Sequence, residues 1–560
     1  MSFRRLVVAT TFSVAAVYAA ASPQPPWTGV LLSPGDSPVP PGFTSLVRHD
    51  DAVGELLSAQ EAFLTQLPLD AETTVDAILS RIDPFTPETR LVVVGDDGEY
   101  EIAHPAVASF RGTLAGYEGS SIFISVSPWW VYGYATLDDR TFIISSGPAT
   151  DPRDPVVYDT ARISPDDLAI VIPTCQTDES YIINQAAQRT SDAHGSTTRA
   201  GPCRIAKVAW ESDYELTQIF GGDPNLSTAY ISLVTAAMTD IYLRDVNTRI
   251  VTPYIRVWTT SADPWDQPST GAQLDQFRAH WATKMWSVSR NLAHFLSGRG
   301  LGGGVAWVGV VCNSQYGYAL SANLAGSFPY PLQDNRGVNW DPYVIAHELG
   351  HNFGTLHTHD YTPPIDTCGL GQCAGYLGNG TIMSYCHLCF NGVANIKLKF
   401  GDRVNERILT YLADEAPCEL ADPPKFNSHP GNKTVDLGAT VTFTPAVTTP
   451  GLPQYQWFHD DVAIPNAKAQ QLTITNVGPD DIGAYVLRVS NECNTVFSNP
   501  GTLLVRCPAD FDGSLFVDND DFNLFVEAFV AGGMSADFDK SGFVDIDDYT
   551  GYVLAFEAGC

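Results

Sequence analysis

The stretch "YVIAHELGHNFGTLHTHDY", residues 343–361, places four histidines and one glutamate within thirteen positions, from His347 to His359. Residues four apart share a helix face, so His347 and His351 present their imidazoles side by side, with Glu348 between them. Asp341 and Pro342 suit an N-cap and a first helical position. Ile345, Leu349 and Phe353 recur every four residues as an apolar stripe. The helix is expected to end at Gly354, a residue able to take the left-handed conformation that turns the chain sharply. That turn would return His357 as a third ligand. Three neutral imidazoles leave one tetrahedral position for water, the arrangement of a catalytic rather than a structural zinc site. The competing reading is a helix whose histidines are surface groups or satisfied core groups.

The rest of the chain bounds this reading. At 560 residues it is too long for one core, and three to five domains are expected. With 63 acidic against 31 basic residues the net charge is −32, which argues against a nucleic-acid partner. The opening "MSFRRLVVATTFSVAAVYAAAS" has a basic start, an apolar run and a small-residue cleavage site, so residues 1–21 read as a secretory signal peptide. Thr10, Thr11 and Ser13 interrupt a run already short for a span, and no later segment holds 18 consecutive apolar residues, so no transmembrane segment is expected. A secreted, extracellular or cell-surface location follows. There the 11 cysteines can pair, and the odd count leaves at least one without an intramolecular partner.

The texture divides the chain. Residues 22–200 form a β-rich region in which "FRGTLAGYEGSSIFISVSPWWVYGYATLDDRTFIISSGP" alternates like antiparallel strands, and it closes on the small polar stretch "RTSDAHGSTTRAG", read as an exposed linker. Residues 201–420 are mixed α/β. Here "STAYISLVTAAMTDIYLRDV" reads as a helix, "TRIVTPYIRVWTT" as a strand, "AQLDQFRAHWATKMWSVSRNLAHFL" as one long helix carrying a structural His294, and "GVAWVGVVC" as a second strong strand. Residues 424–505 show short strands, with Trp457 and the run Asp481-Ile482-Gly483-Ala484-Tyr485. Residues 507–560 contain a repeat at a spacing of 27, "DFDGSLFVDNDD" and "DFDKSGFVDIDD".

"HELGHNFGTLH" fills every position of the metzincin motif His-Glu-x-x-His-x-x-Gly-x-x-His, and "NGTIMSYC" supplies Met383 for the methionine turn that follows it in that superfamily. Residues from about 90 to 415 resemble metzincin metallopeptidases, most closely the adamalysin (reprolysin) branch, with the departure that Thr358 stands where that branch has an aspartate. The resemblance implies an α/β metzincin catalytic domain preceded by a prodomain. It also implies one catalytic zinc on His347, His351 and His357, and hydrolysis of peptide bonds in a protein or peptide substrate with Glu348 as the base. Tyr385, two residues after Met383, sits where astacins and serralysins place a tyrosine that contacts zinc or the oxyanion. The alternative role for Tyr385 is a packed aromatic in the turn. His359 and His387 read as local hydrogen-bonding groups. Loops around residues 358–395 would build the specificity pocket.

Such enzymes resemble one another in latency, often through a prosegment cysteine on the zinc. Cys175 is the candidate cysteine switch, with a Cys175–Cys203 disulfide as the rival. Trp457 and Tyr485 resemble the core tryptophan and tyrosine corner of immunoglobulin-like β-sandwiches, with Leu487 in place of the second inter-sheet cysteine. The tail repeat places oxygen side chains at calcium-loop positions 1, 3, 5, 9 and 12: Asp510, Asp512, Ser514, Asp518 and Asp521, then Asp537, Asp539, Ser541, Asp545 and Asp548. Its 12 acidic side chains stand against one lysine. The tail resembles dockerin modules of the Gly-Cys-ending type, small α-helical calcium-loop units. That implies up to two Ca²⁺, a cohesin-like docking partner and a Cys507–Cys560 clasp. Leu515 departs from the glycine expected at position 6 of the first loop. The rival to a docked, secreted zymogen of a zinc endopeptidase is a non-enzymatic adhesion or scaffold protein carrying a degenerate protease fold.

Overall fold

In the computed structural model the described residues are 26–162, 204–328, 341–389, 395–418, 420, 424–449, 453–490, 495–514 and 516–558, apart from Asp139, Ala149, Pro152 and Leu377. The signal peptide, Cys175, Cys203, Cys493, Cys560, Leu515 and the linker near residues 189–201 lie outside them.

The chain is multidomain. Its first part builds a ten-stranded sheet whose centre is an antiparallel run: Thr74–Ile82, Ala108–Leu114, Ser121–Val126, Val131–Leu137, Arg140–Ser145 and Val156–Asp159. The expected alternation is present, but both faces are buried. Ile122, Ile124, Val131, Phe142, Ile144 and Val157 enter one core. Their neighbours Phe123, Tyr132, Tyr134, Ile143 and Tyr158 enter the core of the following unit.

That unit is layered around a seven-stranded sheet in the order Gly304–Ala306, Tyr318–Ser321, Leu292–Leu296, Arg204–Ser212, Thr248–Trp258, Phe85–Gly95 and Gly98–Glu101. Its last two strands therefore come from the β-rich region. All neighbours are parallel except the two end pairs. Helix Pro224–Val246 packs on this sheet. It is long and apolar enough to span a membrane by length and composition alone, yet 94% of its most apolar window is buried in the protein. An all-round apolar surface suits a helix covered on every side.

Two sequence expectations are corrected. The long helix expected over residues 272–296 is helix Thr270–Lys284, a turn and then strand Leu292–Leu296. A fully buried parallel strand has no polar alternation, so "LAHFL" mimics a helical apolar run. His294 therefore stands in the sheet centre, where its Nε2 lies 2.8 Å from Ser321 Oγ. The strand expected over 304–312 stops at Ala306, before a turn at Gly309 with φ +67°.

Residues 424–505 form an immunoglobulin-like β-structure. Trp457 faces Leu487 across the Gln454–His459 and Gly483–Ser490 strands, and Tyr485 donates its hydroxyl to the Asp481 carbonyl at 2.8 Å. Phe443, Trp457, Tyr485 and Leu487 fill the space an inter-sheet disulfide would span. In the tail, helices Asn519–Val530 and Ile546–Ala558 meet through Phe525 stacked on Tyr552, centroids 3.7 Å apart. Disulfides join Cys312 to Cys418, Cys368 to Cys386 and Cys373 to Cys389. Cys507 is also disulfide-bonded.

Candidate metal centre

Helix Asp341–Asn352 carries the motif and is buried along its whole length, not only on the Ile345, Leu349 and Phe353 stripe. Its start is anchored by the Asp341 carboxylate, which accepts from the amides of Ala325 (3.0 Å) and Gly326 (2.8 Å) and from the Tyr230 hydroxyl (2.7 Å). Burial pushes this carboxyl up to about 6, against the pull of those donors. The helix ends two residues before Gly354, whose φ is +87°. A Cβ there would also stand 2.8 Å from Tyr411 Cβ, so both the backbone angle and the space call for glycine.

The turn brings His357 back to His347 and His351. One ring nitrogen from each lies within 4.8 Å of the others, and all three residues are buried. Their Nδ1 atoms are each engaged: His347 with the Ile382 carbonyl at 2.6 Å, His351 with the Thr355 carbonyl at 2.9 Å, His357 with the Asp360 carboxylate at 3.1 Å. An Nδ1–H donated outward fixes the tautomer and leaves Nε2 as the lone-pair nitrogen. The Nε2 of His351 and His357 are 3.2 Å apart. His347 Nε2 is buried with no hydrogen-bond partner among the described residues. Burial holds His347 and His357 well below the usual histidine range and takes His351 to about 4, so the rings are neutral. Three buried, neutral imidazoles with converging lone pairs fit a zinc ion.

Met383 is fully buried directly beneath Gly350, and its carbonyl accepts from the Thr358 amide at 3.0 Å. The turn thus holds His347 through Ile382 and the third histidine's loop through Met383. Glu348 is buried on the same helix. Tyr385 packs its ring 4.4 Å from that of His357. His359 stacks on His357 at 5.2 Å, its Nδ1 buried with no hydrogen-bond partner among the described residues, while His387 lies 3.0 Å by its Nδ1 from the Tyr343 hydroxyl. Sequence reasoning missed Asp360 as the carboxylate behind His357. Its place three residues after the ligand, where a short helical turn brings it back, was the available signal.

In the tail, Asp510, Asp512 and Asp521 gather carboxylate oxygens within 4.8 Å, and so do Asp537, Asp539 and Asp548. These are positions 1, 3 and 12 of both repeats. Asp518 instead caps the first tail helix through the Asp520 amide at 2.8 Å, and Asp545 accepts from the Asp547 amide at 2.9 Å. Ser514 and Ser541 turn their hydroxyls to the carbonyls of Phe516 and Phe543.

Residues 203–394 match the model of metallo-peptidase family M12, and residues 423–491 match that of the immunoglobulin domain. The chain is 23% identical over 326 residues to disintegrin and metalloproteinase domain-containing protein 1 of Rattus norvegicus, covering 57% of this chain and 37% of that protein. It is 32% identical over 113 residues to protein sax-3 of Caenorhabditis elegans, covering 19% of this chain and 9% of that protein. A solved structure of tandem Ig repeats of Dlar aligns at 24% identity and TM-score 0.14 over 15% of this chain and 48% of that one. The chain thus spans well under half the length of these two curated relatives. It carries an M12-type metallopeptidase domain, whose family implies a catalytic zinc, followed by an immunoglobulin domain.

Proposed function

We propose that the chain is a secreted zinc endopeptidase, made as a zymogen, whose C-terminal module binds calcium and docks it to a partner. The observation that carries the peptidase reading is the histidine trio: every Nδ1 is engaged and the lone-pair nitrogens converge.

His347, His351 and His357 would hold the zinc through Nε2. Bound there, zinc supplies Lewis-acid chemistry, acidifying water and polarising a carbonyl. Glu348 follows His347 on the same buried helix. Its carboxylate accepts the proton of the attacking water and delivers it to the departing amine nitrogen. Tyr385, whose ring lies against that of His357, would donate its hydroxyl to the oxyanion that develops on the scissile carbonyl. Gly304–Ala306 is the outermost strand of the sheet and runs beside the motif helix, so an extended peptide adding to that edge would lie across Glu348. The requirement for an extended strand favours internal bonds of a protein substrate.

The two carboxylate trios support calcium binding in the tail, and Asp537 Oδ1 is buried with no hydrogen-bond partner among the described residues. A cohesin-like partner and a Cys175 switch remain part of the proposal on the strength of the sequence pattern.

The test is casein hydrolysis by purified full-length protein cut between residues 187 and 202. Activity abolished by a zinc chelator and restored by zinc alone supports the reading. Activity indifferent to chelation overturns it.

A further inference from the structure

The β-rich region is not only laid over the peptidase unit; it supplies part of its sheet. Strand Phe85–Gly95 runs parallel to Thr248–Trp258, with Tyr254 opposite Arg90 and Trp258 opposite Val94. Leu91, Val92, Val93 and Val94 are buried in the peptidase core. The junction also closes backbone and side-chain groups: the Thr252 amide donates to the Pro84 carbonyl at 2.8 Å, the Thr259 amide to the Val94 carbonyl at 2.9 Å, and Arg249 to the Asp83 carbonyl. Arg256, nearly fully buried, bridges Glu99 of the hairpin and the wholly buried Glu211.

A second contact surface lies on the long helix Pro224–Val246. Arg111 pairs with Asp240 at 3.0 Å, and the Tyr134 hydroxyl donates to the same carboxylate at 2.8 Å. Asp240 is almost completely enclosed. Around it the aromatic face of the ten-stranded sheet, with Phe123, Tyr132, Tyr134 and Tyr158, shares one continuous core with the helix. The helix has no polar face to show to water, and this sheet is what covers the side turned away from its own.

We propose that residues 26–162 are a lasting subunit of the peptidase unit: cutting the chain between residues 163 and 203 yields a two-chain protein, not a released prosegment. Loss of the first chain would uncover the edge of Thr248–Trp258, take Glu99 from the buried Arg256 and both Arg111 and Tyr134 from the enclosed Asp240, and bare an apolar helix. The surface fits one occupant, this chain's own N-terminal region. The inference does not rest on the peptidase reading, because its readout is association.

The test inserts a recognition site for a sequence-specific protease between residues 187 and 202 of the full chain carrying Cys175→Ser, so that no Cys175–Cys203 disulfide can hold the cut ends together, cuts it to completion and applies size-exclusion chromatography without denaturant. Both fragments are expected to co-elute at the mass of the uncut chain and to part only in urea that also unfolds the peptidase unit. Separate elution, with the larger fragment keeping its cooperative unfolding transition, overturns the proposal. In the cut protein, Glu99→Ala combined with Arg111→Ala is expected to lower the urea concentration at which the fragments part. An unchanged separation point in that variant also counts against it.

Discussion

A Cβ atom placed on Gly304 would stand 2.6 Å from both Cγ and Cδ of Glu348. The two residues sit on different elements, the outermost sheet strand and the motif helix, so Gly304 is the space into which the Glu348 carboxylate is folded. Gly304→Ala is expected to push that carboxylate off its position without touching a histidine. A misplacement of about 1 Å can cost on the order of 100-fold in rate. Steady-state peptide cleavage should therefore fall by about that factor through kcat, with bound zinc unchanged.

Asp360 gives a different signature. Its carboxylate takes the Nδ1–H of His357, so its removal frees that ring without removing a ligand. Partners of this kind typically contribute about 10- to 100-fold in metal affinity. Zinc competition with a fluorescent chelator should place Asp360→Ala in that range, while Asp360→Asn, which can still accept a hydrogen bond, retains more affinity. Equal affinity in wild type and Asp360→Ala would show that the loop alone aligns His357.

The buried sheet histidine predicts an acid sensitivity separate from the metal. Burial lowers His294 from the ordinary 6.5 to about 3. Its folded pKa is depressed, so above about pH 6.5 it is neutral in both states and costs nothing. As pH falls from 6.5 towards 3 the unfolded chain binds a proton that the folded chain refuses, and stability declines. Glu211 opposes this trend, since burial raises it to about 7 and it favours the folded state at low pH. The comparison to make is therefore the change between pH 7 and pH 5 in the urea midpoint, wild type against His294→Gln. The variant should lose less stability over that interval.

For the tail, calorimetric titration of the full chain with calcium should find up to two equivalents, and Asp537→Asn with Asp539→Asn should remove one of them. Zinc content and peptide hydrolysis should not change, because the trio lies in a separate module with its own small core. Retention of both equivalents would exclude the second repeat as a calcium loop.

The legible and illegible parts of the molecule divide on physical lines. His347, His351, Gly354 and His357 could be read because their spacing is set by helix period and one obligatory left-handed turn, both local, whereas Met383 could be read only through the resemblance of its stretch to a methionine turn. The tyrosine corner at Tyr485 is local for the same reason, its hydroxyl reaching only four residues back. Strand Leu292–Leu296 was read as helix because a buried parallel strand is apolar on both faces. The partnership of Phe85–Gly95 with Thr248–Trp258 could not be read at all. It joins residues more than 150 positions apart, and nothing in a strand's own sequence names its neighbour. Gly304 was missed likewise: its role is defined only by what approaches it.

The most direct test of the central claim uses the cut full-length protein beside its Glu348→Ala variant, with casein hydrolysis and bound zinc measured on the same samples. The account predicts one zinc in each, and a rate in the variant lower by at least about 100-fold, the usual worth of a positioned general base. Wild-type protein that is folded yet holds no zinc would contradict the account. So would zinc-loaded protein whose hydrolysis is unaffected by loss of Glu348. Zinc retained with no hydrolysis in either protein would leave two readings in its place, a very narrow substrate range or the adhesion or scaffold protein.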